Sequence, residues 1–125
     1  MKNYLMYAID SLAPNSDYVI FGDEYSGIEW RDTVNAKPTE EEVNKKIADL
    51  QAEEPFKQLR AERNLRLAQT DLTQLKDIDL DVIRERNWKN YRQALRDLPS
   101  KSNPKLNSYG DLDMSSVTWP DKPSP

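Results

Sequence analysis

The 125-residue chain has no cysteine, no histidine and only three glycines, Gly22, Gly27 and Gly110. Without cysteine there is no disulfide framework, thiolate metal site or nucleophilic thiol, and without histidine there is no imidazole acid–base chemistry. Glycine this scarce leaves no glycine-rich phosphate loop. Long hydrophobic runs are missing too: the apolar stretch near the amino terminus, Tyr4-Leu-Met-Tyr-Ala-Ile9, is too short to span a bilayer, and no small-residue cleavage site follows it. A soluble intracellular product is the expectation. Excess basic charge is also absent. The formal net charge of −4 argues against a dedicated nucleic-acid binder, whose footprint is a strongly basic face.

What is present bounds the architecture. Hydrophobic residues make up 37% of the chain, charged residues 32%, and mean hydropathy is −0.90, which together predict one small body with a modest core and extended ends. The richest segment is Asn87–Pro99, where Trp88, Tyr91, Leu95 and Leu98 follow an i, i+3, i+7, i+10 rhythm and share one helical stripe. Pro99 should stop that helix, because it has no amide donor and pushes the preceding residue out of the α region. Upstream, Thr39 and Glu42 have the spacing of a capping box before an acidic first turn, and the helical pattern runs on to Gln69. Val43, Ile47 and Leu50 form one apolar stripe; Phe56, Leu59, Leu65 and Leu67 suggest another. Pro55 lies between them and predicts a kink or a restart. Thr70–Asp77 breaks the rhythm and turns the chain back, with Asp79 or Asp81 as cap of the second helix.

The front is different in kind. Ala13-Pro-Asn-Ser-Asp17 is a turn cluster, so Tyr4–Leu12 is a short helix or a strand; its length does not decide. Tyr18–Phe21 and Gly27–Trp30 are β-branched and aromatic runs joined by five residues, the pattern of a hairpin that needs another element on its apolar face. The fold class expected is therefore α+β. Residues 1–38 form a small acidic β-hairpin module, residues 39–99 an antiparallel helical hairpin with helices at about 40–69 and 81–98, and residues 100–125 an extended tail rich in proline and serine. Within that tail, Trp119 before Pro120 is too large to leave loose in water, so its segment should dock on its own domain or on a partner.

Charge is distributed unevenly. Residues 1–56 hold five Lys/Arg against twelve Asp/Glu, residues 57–98 ten against seven, and the rest three against three. A solvated surface with local i, i+4 pairs such as Glu62–Arg66 accounts for this, and the sharper alternative is an acidic front that docks on another chain or on the basic hairpin. Asp77, Asp79 and Asp81 lack the glycine and distal glutamate of a calcium loop, so they read as caps. No catalytic, cofactor or metal constellation is found. The candidate partner-binding residues are Trp30, Trp88, Tyr91, Arg92 and Trp119, weighed against a plain core role for Trp88 and Tyr91.

Four blocks carry a resemblance: Arg60-Ala-Glu-Arg-Asn64; Leu67-Ala-Gln-Thr-Asp-Leu-Thr-Gln-Leu-Lys-Asp77; Trp88-Lys-Asn-Tyr-Arg-Gln-Ala-Leu-Arg-Asp-Leu-Pro99; and Trp119-Pro-Asp-Lys-Pro123. In order and spacing they resemble the phage tail assembly chaperone family over roughly the second half of the chain. A related tail-fibre assembly family also ends with a Trp-Tyr-Arg helix and a Trp-Pro segment. The front half is similar to a small domain of other phage tail-region proteins. Leu72 departs from the pattern, standing where the family commonly has tryptophan, which leaves aliphatic packing in place of the ring. The resemblance implies a bacteriophage protein that binds a tail or tail-fibre protein during assembly in the host cytoplasm, with no enzymatic step, cofactor, nucleic acid or membrane. The alternative it implies is a structural subunit kept in the virion at the baseplate or fibre attachment.

Overall fold

The computed structural model describes residues 3–75 and 77–124. Contacts divide the chain into two compact units, Met1–Glu54 and Pro55–Pro125. The sequence reading drew its lines at residues 38 and 99. The division falls inside a helix because the apolar stripe at Val43, Ile47 and Leu50 belongs to the first unit's core, while Phe56 and Leu59 belong to the second's.

In the first unit, α1 (Tyr4–Leu12) resolves the open choice in favour of a helix, capped by the Asn3 side chain accepting from the Leu5 amide at 3.0 Å. Asn15 then takes φ +59° in the turn, a conformation asparagine tolerates. Strands β1 (Tyr18–Ile20) and β2 (Ile28–Trp30) pair antiparallel, with Tyr18 opposite Trp30 and Ile20 opposite Ile28. Their connection depends on Gly27: a Cβ there would lie 1.9 Å from the Phe21 carbonyl oxygen, which accepts no substitute side chain at that approach. Leu5, Ala8, Ile9, Ile28 and Val43 are the buried core.

Helix α2 (Glu40–Gln69) starts on the predicted capping box. Thr39 Oγ1 accepts from the Glu42 amide at 3.1 Å, and Glu42 Oε1 accepts from the Thr39 amide at 3.4 Å. The helix does not restart at Pro55. Proline denies the Gln51 carbonyl its usual donor, but Gln51 is exposed and water can serve it, while Val43 and Leu59 anchor the two halves in buried surroundings.

In the second unit, a 3-10 turn at Asp71–Gln74 follows α2, and α3 (Val82–Asp97) begins on Asp81, whose carboxylate accepts from the Arg84 amide at 2.7 Å. Leu59 packs with Leu98 and Leu67 with the Trp88 cluster, so α3 runs antiparallel to the second half of α2. Leu98 keeps helical angles, φ −56° and ψ −44°, contrary to the expectation for a residue before proline. Pro99 instead sits in the first turn of a 3-10 segment, Leu98–Lys101, where its missing amide is not needed. Leu65, expected on the apolar stripe, is exposed, as is Leu72.

Candidate partner-binding surface

The sequence-derived candidates fall in two places. Trp88 and Tyr91 lie in the second unit's interior, each 6% exposed, with rings edge to face at 6.0 Å beside the fully buried Leu95. Trp119 packs against both that cluster and the Leu59–Leu98–Val117 cluster, joining them. Arg92 directs Nη1 to the Leu67 carbonyl, Thr70 Oγ1 and Asp71 Oδ1, all at 2.9 Å, which holds the end of α2 against α3. These four residues therefore build the second unit from within. Trp30 is in the first unit, stacked on Tyr18 at 5.8 Å with its Nε1 donating to the Asn35 carbonyl.

The segment after α3 is fastened rather than loose. Gln58 on α2 donates Nε2 to the Gly110 carbonyl at 2.9 Å and accepts from the Leu112 amide at 2.6 Å, imitating one rung of a sheet ladder. Between Lys105 and Asp113 the backbone closes on itself, with the Asp113 amide on the Lys105 carbonyl and Asn107 Oδ1 accepting from the Tyr109 and Asp111 amides. Tyr109 stands at the tip of this loop, 81% exposed. Beside the clamp, Gln58, Ala61, Glu62, Leu65, Leu112 and Met114 line a shallow groove of about 360 Å³, with Leu65 and Met114 open to solvent. Sequence reasoning missed this groove. Gln58 carries no motif, and its role exists only because the loop returns to it.

Two ionisable groups in the first unit are shifted by their surroundings. Burial of the Tyr18 phenol, then its 2.6 Å hydrogen bond to Asp10 and that carboxylate's charge, push its pKa up to about 12. The Asn35 amide, its side chain, and the Asp17 and Val34 amides hold the Asp32 carboxyl well below the usual range. Both arrangements tie the hairpin to its flanks. Among the described residues no group of three or more acidic side chains is placed to hold a metal ion, and no helix is long and apolar enough to cross a membrane.

The second unit is thus a small helical unit built around Trp88 and Trp119, with a shallow groove lined in part by Leu65, Leu112 and Met114. The chain belongs to the phage tail assembly chaperone protein family, whose family model matches residues 56–124. That span corresponds to nearly the whole second unit. No curated protein matches the chain, and no solved structure does.

Proposed function

We propose that the chain is a non-enzymatic assembly factor that binds a tail or tail-fibre protein in the host cytoplasm, through the groove between α2 and the fastened C-terminal segment. The observation that carries this reading is the placement of Leu65, Leu112 and Met114 along that groove, next to the exposed Tyr109 loop, within the span that the family covers. Aromatic, leucine and methionine side chains on a rigid frame suit a partner's apolar segment, and the binding acts by mass action, favouring the assembly-competent form without chemistry. Gln58 keeps the groove's two walls at fixed spacing.

The test is co-purification of the full chain from infected cells, with every captured tail protein identified by mass spectrometry, beside quantitation of the chain in purified particles. Capture of a tail or tail-fibre protein that is lost in the Leu65→Ser/Met114→Ser variant, together with absence from particles, is the expected result. A stable integer ratio in particles would make the chain a virion subunit instead.

A further inference from the structure

Helix α3 ends at Asp97, and the chain leaves it through the 3-10 segment Leu98–Lys101 into extended backbone at Ser102. Ala94, Leu98 and Lys101 follow i, i+4, i+7 and so share one stripe at that end of the helix. The chain returns to this stripe at residues 116–120. Two hydroxyls hold the outgoing and returning segments: Ser102 Oγ donates to the Leu98 carbonyl at 2.6 Å, and Ser116 Oγ accepts from the Lys105 amide at 3.0 Å. Between them is a cleft of about 360 Å³ walled by Ala94, Leu98, Trp119 and Pro120. Leu98 is buried and packs with Trp119, so the cleft's apolar wall is continuous with the unit's core. Alanine at 94 leaves room that a longer side chain one turn before Leu98 would occupy.

The cleft carries charge of one sign. Among the described residues Lys101 is the one charged side chain that lines it; it is exposed and has no ionic partner. Asp97 and Asp121 are close to it in sequence, but neither lines the cleft, and Asp97 accepts from Gln93 instead. The other polar side chains on its lips are neutral. Thr118 and Trp119, which also line it, have backbone amides that donate to no acceptor among the described residues. An apolar wall, one unpaired cation and spare amide donors suit a ligand with an apolar body and a single negative charge at its end. A polypeptide's carboxyl terminus has that form. Size points the same way, because a volume of about 360 Å³ is at the low end for ligand clefts. It has room for a terminal residue or two, whereas an acidic side chain in mid-segment would bring chain on both sides of it.

We infer that the cleft between the end of α3 and the Ser116–Pro120 segment captures the carboxyl terminus of another polypeptide, one whose last side chain is apolar. That side chain lies on Leu98 and Trp119, and the terminal carboxylate meets Lys101. Burial of the apolar side chain supplies affinity, and the lysine selects a charged end over a neutral one. No residue lines both this cleft and the groove beside Gln58, so this is a second site and does not depend on what the groove takes.

The test is an NMR titration of the isotope-labelled full chain with N-acetylated Gly-Ser-Gly-Ser peptides extended by a final Leu or Phe. Each is used with a free carboxyl end and as its amide, beside the same peptide ending in Ser. The free-carboxyl Leu and Phe peptides should shift the backbone amides of Ala94, Lys101 and Thr118 saturably. Amidation, and the change of the last residue to Ser, should each weaken binding about tenfold. Lys101→Glu should weaken it by at least about as much with an unchanged melting curve, since the side chain is exposed, and Lys101→Arg should retain it. Absence of saturable shifts at these amides overturns the proposal, as does equal binding of acid and amide, or a Lys101→Glu chain that binds as well as the parent. Octanoate bound more tightly than the peptides would assign the cleft to free carboxylic acids and overturn the chain end as its occupant.

Discussion

The Arg66 guanidinium lies over the Trp119 ring, 4.0 Å from its centroid, while Nε of the same side chain reaches Glu62 Oε1 at 3.1 Å. A residue on α2 thus covers the side chain that joins the second unit's two buried clusters. The Trp119 Nε1 is itself buried and has no hydrogen-bond partner among the described residues, so its contribution is packing and ring charge.

Trp119→Ala should therefore cost about 3 kcal/mol in denaturant unfolding, near the low end for a large aromatic because the ring is only partly enclosed. Trp119→Phe should cost less, since it keeps a ring beneath Arg66 and removes the orphaned donor. Arg66→Ala should cost about 1 kcal/mol.

Gln58→Ala leaves the Gly110 carbonyl and Leu112 amide without their shared partner. The expected loss is about 1 kcal/mol, because both positions are partly open and water replaces the clamp. Gln58→Glu should lose more, as it sets an acceptor against the Gly110 carbonyl. Amide hydrogen exchange at Leu112 should accelerate in both variants.

Trp88→Ala should destabilise the chain by about 3–5 kcal/mol, because the ring is buried against Tyr91 and its removal leaves a cavity. Val82→Ser, on the exposed first turn of the same helix, should change stability by less than about 0.5 kcal/mol. Thermal melting of the two variants side by side separates core from surface on α3.

Alkali should weaken the first unit through Tyr18. Its folded pKa of about 12 exceeds its ordinary 10.0, so the folded state holds the proton more tightly; that stability is complete below pH 10.0 and is lost as pH rises toward about 12. Tyr18→Phe should flatten this dependence in melts followed by the circular dichroism of the aromatic region.

Asp32 acts at the other end of the scale. Its folded pKa is depressed, so its stabilisation is present at neutral pH and disappears as the carboxyl protonates below its ordinary range near 4. In Asp32→Ala, which removes the shared acceptor, exchange of the Val34 and Asn35 amides should be fast already at neutral pH.

Several elements were legible because they rest on local chemistry. The capping box at Thr39, the Asp81 cap, the Tyr18–Trp30 hairpin and the Trp88–Tyr91–Leu95–Leu98 stripe each depend on residues close in sequence, and each forms as the spacing predicts. Proline acts differently at its two positions: α2 does not restart at Pro55, while at Pro99 the α-helix stops at Asp97 as expected, although Leu98 keeps helical angles. The local penalty of proline is real, but packing on either side of the first and a 3-10 turn around the second absorb it.

By itself the sequence determined the absence of thiol and imidazole chemistry, the α+β class and which face of α3 turns inward, since these follow from residue type and short-range periodicity, while the family is carried by the likeness of its blocks between Arg60 and Pro123. Tertiary structure alone decided that Gln58 clamps the returning loop fifty-odd positions away, that Trp119 settles beneath Arg66, and that Leu65, Leu72 and Ile83 face solvent although their chemistry suits a core. Which apolar side chain finds cover depends on what chain returns to it, and a loop's path back to a distant helix is written in no local pattern.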